Sequence, residues 1–190
     1  MQNTLSFPTL PSADLELNPA FNVVIAYEDF ETGKRAMKTY DYLVQHLGEE
    51  CTFKNQMWKF EVLALPKLRE MAVKDASTAD IIIVSAHGPD VLGYAVRDWV
   101  ERWLAEERNA IALVGLFDSD SYFENPARRY LAETARRANL EFFSQPGLWP
   151  VKSGGNKSSD DEAWERNKTF SVLASVVREE TAVSHWGINE

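Results

Sequence analysis

Three stretches of this chain end an apolar run with side chains able to do chemistry. FNVVIAY leads into Glu28 and Asp29, DIIIVSA into His87, and AIALVGLF into Asp118, Ser119 and Asp120. Ser85 and His87 are two residues apart, so on a strand they share a face, where an imidazole could activate a hydroxyl for hydrolysis. No third orienting group is evident and the GxSxG nucleophile signature is missing. The plainer expectation is that His87 hydrogen-bonds the loop that follows it. Glu28, Asp29, Asp118 and Asp120 offer oxygens of the kind that suit Mg²⁺; the alternative is that they are solvated loop ends. His46 and His185 carry no argument.

The apolar positions describe the scaffold these residues need. FNVVIAY, 21–27, is a β-branched run that predicts a buried strand. Ala36, Tyr40, Leu43 and Leu47 fall at helical spacing, predicting a helix from Glu31 to Leu47 with Gly48 as its stop. MWKFEVLAL, 57–65, is rich in strand formers and predicts a second strand, after which Pro66 opens a helix carrying Leu68, Met71 and Ala72. IIIVSA is apolar at nearly every position, as expected of a parallel strand covered on both faces. A long helix is expected over 90–108, with Trp99 and Trp103 side by side on its apolar face. A strand at 110–117, a helix at 126–138 and a strand at 140–144 follow.

Residues 1–20, with Pro8, Pro11 and Pro19, read as a flexible N-terminal extension, 21–179 as one domain, and 180–190 as a C-terminal tail. Within the domain, 146–160 is a Pro-, Gly- and Ser-rich insertion, after which Ser159 and Glu162 resemble a capping box opening a helix through Glu179. Strands alternating with helices predict an α/β fold: a doubly wound three-layer sandwich around a five-stranded parallel sheet. Sites in such sheets gather at the carboxyl ends of the strands. That rule selects Glu28, Asp29, Ser85, His87, Asp118 and Gln145 as the candidate site.

On these residues the chain resembles a degenerate response-regulator receiver, or pseudo-receiver, over residues 21–146. In DIIIVSAHGPDVLG, Asp80, Pro89 and Gly93 match the receiver pattern, while Ser85 stands where the phosphoacceptor aspartate closes the strand. A hydroxyl is a poorer unassisted nucleophile than the carboxylate and would give a stable ester in place of a labile acyl phosphate. Glu28 and Asp29 match the acidic pair that holds a divalent cation in receivers. Gln145 precedes Pro146 where the family has a lysine, and Val114 to Phe117 lack the switch hydroxyl. The resemblance implies a flavodoxin-like fold with strand order 2-1-3-4-5. It also implies a non-catalytic signalling or binding module that has lost the phosphorylation cycle.

Two other ligands are weighed against the same residues. Gly33-Lys34 after a strand suggests a phosphate loop, but that pattern also needs Gly at 28 and Ser or Thr at 35, where this chain has Glu28 and Arg35. Flavodoxins share the expected sheet and bind FMN at this edge, making an FMN-dependent oxidoreductase an alternative, with Trp58 and Tyr94 as stacking residues. EDFETG places three acids where the flavin phosphate would lie, so FMN is disfavoured and no cofactor is firmly expected.

The chain has 190 residues, 45% of them hydrophobic, and a net charge of −9, which repels phosphate backbones and anionic lipid. No nucleic-acid or membrane role is expected. One cysteine, Cys51, excludes an internal disulfide and fits a reducing cytoplasm. A protein partner, a small ligand or a second copy of the chain in a homodimer are the partners that remain.

Overall fold

Alternate residues of the apolar strands enter two separate cores. Val23, Ile25, Ile81, Ile83, Ala112 and Val114 pack in one cluster, and Val24, Ala26, Ile82, Val84 and Leu113 in another. With side chains alternating across a strand, an unbroken apolar run is what a sheet covered on both faces requires. The structure, a computed structural model, describes residues 20–47, 52–88, 91–118 and 125–146.

The strands are β1 (Ala20–Tyr27), β2 (Thr52–Lys59), β3 (Ile81–Ser85), β4 (Ala112–Phe117) and β5 (Glu141–Pro146). They form one parallel sheet in the order β2-β1-β3-β4-β5. Helix α1 (Phe30–Leu47) contributes Ala36 and Leu43 to one core. Helices α2 (Pro66–Ser77), α3 (Tyr94–Ala105) and α4 (Pro126–Ala138) build the other. This is the doubly wound, flavodoxin-like arrangement, with helices on both faces.

The second strand differs from its expected position. It occupies Thr52–Lys59, while Val62–Ala64 form a single 3-10 turn. β2 is an edge strand and mostly exposed, so its sequence TFKNQMWK carries no apolar run, and the apolar stretch just after it drew the expectation forward. Trp58 is tied into the fold: its Nε1 donates to Asp75 Oδ2 at 3.1 Å, joining β2 to α2.

α3 starts at Tyr94 and ends at Ala105, shorter than the expected 90–108. Trp99 and Trp103 are completely buried, with ring centroids 6.4 Å apart, so this helix spends its aromatic face on the core. Asn125 caps α4, its side chain accepting the Arg128 N–H at 3.0 Å, and Asn139 ends it in the left-handed conformation at φ 53°. The expected N-terminal extension, the 146–160 insertion beyond Pro146, the helix ending at Glu179 and the tail lie outside the described residues. No helix among the described residues is long and apolar enough to cross a membrane.

Candidate functional site

Parallel pairing brings the ends of β1, β3 and β4 level, with Tyr27 opposite Ser85 and Ser85 opposite Leu116. The residues that follow therefore converge at one edge. Glu28 N–H donates to Ser85 O at 3.1 Å and Ala86 N–H to Leu116 O at 3.0 Å, continuing the ladder past the strands.

Asp29 caps α1. Its Oδ1 accepts the Thr32 N–H at 3.0 Å, and Thr32 Oγ1 accepts the Asp29 N–H at 2.8 Å, a reciprocal pair that satisfies helix-end donors. Gly33 lies in the same first turn. A Cβ there would come within 2.8 Å of the Tyr27 ring, so this glycine makes room for an aromatic side chain.

His87 joins the three strand ends. Its backbone N–H donates to Glu28 Oε2 at 2.7 Å, its Nε2 lies 2.9 Å from Asp29 Oδ2, and its Nδ1 contacts Asp118 Oδ2. β3 ends at Ser85, so His87 has left the strand. The expected sharing of a strand face does not arise, and no hydrogen bond links the Ser85 hydroxyl to the imidazole among the described residues.

Ser85 is completely buried, and its partner is Arg35. Arg35 Nε donates to Ser85 Oγ at 3.2 Å, Nη2 to Ala86 O at 2.8 Å and to Leu116 O at 3.4 Å, and Nη1 to Asp118 Oδ1. The Arg35 side chain is 16% exposed and that of Asp118 47%, so the guanidinium forms the floor and the carboxylate its outer rim. Burial lowers the Arg35 pKa from its ordinary value, and the Asp29 and Glu28 carboxylates oppose that shift.

Five of the six sequence-derived candidates meet at this edge: Glu28, Asp29, Ser85, His87 and Asp118. Gln145 lies in β5 opposite Leu116, and its side chain is outside the described residues, as is Asp120. Glu28 and Asp29, expected to ligate Mg²⁺, spend Glu28 Oε2 on the His87 amide and both Asp29 oxygens on Thr32 and His87. No group of three or more His, Cys, Asp or Glu side chains is arranged to hold a metal ion among the described residues. Arg35 was missed as a member of the site. Its only sequence signal is a basic residue on α1, close after the acidic turn that ends β1.

Asp29 gives a pH test. The Thr32 backbone N–H and then the His87 side chain hold its carboxyl well below the usual carboxylate range. A depressed folded-state pKa contributes stability that is present above the unfolded value, near 3.8, and is lost as pH falls through the folded one. Asp29→Asn keeps a capping oxygen and removes the charge. The variant should be less stable than the parent at neutral pH, with the gap closing as pH falls below about 4, read by urea unfolding across pH. A gap independent of pH would show that the charge contributes nothing.

No family model matches the chain, and no curated protein matches it. Among solved structures, the Streptococcus pneumoniae TIGR4 flavodoxin is 16% identical, with a TM-score of 0.48 over 87% of this chain and 99% of that one. Smu.1420 from Streptococcus mutans UA159 is 12% identical, with a TM-score of 0.48 over 84% of this chain and 100% of that one. A Fusobacterium nucleatum flavodoxin bound to flavin mononucleotide is 11% identical, with a TM-score of 0.44 over 84% of this chain and 98% of that one. The flavodoxin-like fold rests on the strand order and on helices lying over both faces of the sheet.

Proposed function

We propose that this chain is a non-catalytic binding module of the cytoplasm that receives a small ligand or a partner at the carboxyl edge of its sheet. The observation that carries this reading is the burial of Ser85 under Arg35. The position that would accept a phosphoryl group in a receiver is closed to solvent, and a guanidinium is paired with Asp118 at the edge that a divalent cation would otherwise serve. On this reading the chain keeps a receiver-like sheet and strand-end acids without the phosphorylation cycle. Ser85 is equally unsuited to attack a substrate, since it is buried and, among the described residues, no imidazole hydrogen-bonds its hydroxyl.

The test uses Mg²⁺ with beryllofluoride, a phosphoryl mimic, followed by amide NMR of the intact chain. The expected result is an unchanged spectrum. Saturable shifts at Glu28, Ser85 and His87 would overturn the reading.

A flavodoxin-like FMN site is the second reading, favoured by the aromatic residues Phe30 and Tyr94, which are 76% and 74% exposed. Against it, the α1 N-terminus, where such sheets hold a phosphate, is already occupied by the Asp29 carboxylate. Quenching of flavin fluorescence on titration with the protein would favour this second reading; no quenching is expected.

A further inference from the structure

The face of the sheet that carries Val23 and Ile25 has one helix on it among the described residues. Val114, Leu116 and Phe143 lie in the same apolar cluster as Ala36 and Leu43 of α1, while α2, α3 and α4 share the other face. α1 packs chiefly on β1 and β3. A helix is about 10 Å across and neighbouring strands lie about 4.8 Å apart, so one helix covers roughly two strands. β4 and β5 are the next two strands of the sheet, and among the described residues no second helix is left for them on this face.

Those two strands are nevertheless closed to solvent. Val114 is 3% exposed, Leu116 2% and Phe143 6%, and Val114 stands opposite Phe143 in the register of β4 and β5. A bare face would leave the Phe143 ring in water, so a second apolar surface has to lie over it. The chain leaves β5 at Pro146, beside Phe117 at the carboxyl edge, with residues 147–190 still to follow. α4 already packs on β4 and β5 from the opposite face. For a segment returning along the sheet from Pro146, the nearest apolar seat is therefore the half of the α1 face that α1 leaves free.

We infer that residues 160–179 form a helix that docks beside α1 over β4 and β5, with Phe170, Leu173, Ala174 and Val177 toward Val114, Leu116 and Phe143. Those four positions follow the i, i+3, i+4, i+7 spacing of one helix face, and Ser171, Ser175, Arg178 and Glu179 fall together on the other. Ser159 and Glu162 supply a capping box ahead of them. A helix of about 20 residues is about 30 Å long, enough to run back along the six-residue strands β4 and β5, which rise about 3.3 Å per residue. The docking is independent of what the carboxyl edge binds.

The experiment is methyl and aromatic NOE spectroscopy of the full chain, with a mixture of labelled and unlabelled copies to separate contacts within a chain from contacts between chains. Leu173 and Val177 methyls should show contacts to Val114 and to the Phe143 ring within one chain. Contacts found only between copies would put a second copy on this face and overturn the inference. Contacts to Val114 and Phe143 from residues 1–19 instead, or none from 160–179, would overturn it equally. Urea unfolding of two variants gives a separate readout. Leu173→Asp should lower the urea midpoint and raise the fluorescence of anilinonaphthalene sulfonate severalfold, while Ser175→Asp, on the opposite side of the helix, should change neither. Equal effects from the two substitutions, or no effect from either, would contradict a docked apolar face. Should Leu173→Asp fail to fold, the contacts in the parent chain still decide.

Discussion

Arg35→Met should lower the unfolding free energy by about 2 kcal/mol, measured as a shift of the urea midpoint at constant slope. Methionine keeps the apolar stem that packs against the sheet edge and deletes only the guanidinium. The loss leaves Ser85 Oγ and the Ala86 and Leu116 carbonyls without their Arg35 donors, and removes the cation paired with Asp118. Breaking a fully buried pair costs about 3–5 kcal/mol; the lower figure here allows for Asp118, which is half-exposed and regains water. In the double variant with Asp118→Asn, much of the cost should not add, because the carboxylate left unpaired in the single variant is gone. Full additivity would show that Arg35 and Asp118 do not act as a pair.

The second large effect lies in the core. Trp99→Ala should cost about 3–5 kcal/mol, the range for truncating a completely buried aromatic side chain. Trp99→Phe should cost far less than its change in volume suggests. Among the described residues the Trp99 indole N–H is buried without a hydrogen-bond partner, as is that of Trp103, so phenylalanine removes an unsatisfied donor along with the lost ring atoms. Urea unfolding of the two variants checks both statements. If Trp99→Phe were as damaging as Trp99→Ala, shape would dominate and the orphaned donor would be of little account.

The parts of the fold that could be read from sequence are those where burial imposes a pattern. IIIVS is buried at every position, and the two clusters that share its alternate residues Ile81 to Val84 explain why no polar residue comes before Ser85. β2 escaped the same reasoning because an exposed edge strand has no face that demands apolar residues. The convergence of Glu28, Asp29, Ser85, His87 and Asp118 followed from one rule about strand ends, which needs only the positions of the strands. What those side chains do once together was not legible. Arg35 reaches Ser85 and Asp118 across 50 and 83 residues of chain, and nothing local in the sequence encodes that reach. Without the guanidinium, the acids look like a vacant cation site and the serine like a free hydroxyl.

The central claim is that resident side chains, Arg35 and His87, already engage the carboxylates of this edge. Calorimetric titration of the chain with Mg²⁺, alongside Glu28→Gln/Asp29→Asn, addresses it most directly. The expected result is no saturable heat from either protein, because the Glu28 and Asp29 oxygens are engaged with His87 and Thr32. Saturable binding to the parent chain that disappears in the double variant would contradict the claim and return those two carboxylates to the role of metal ligands.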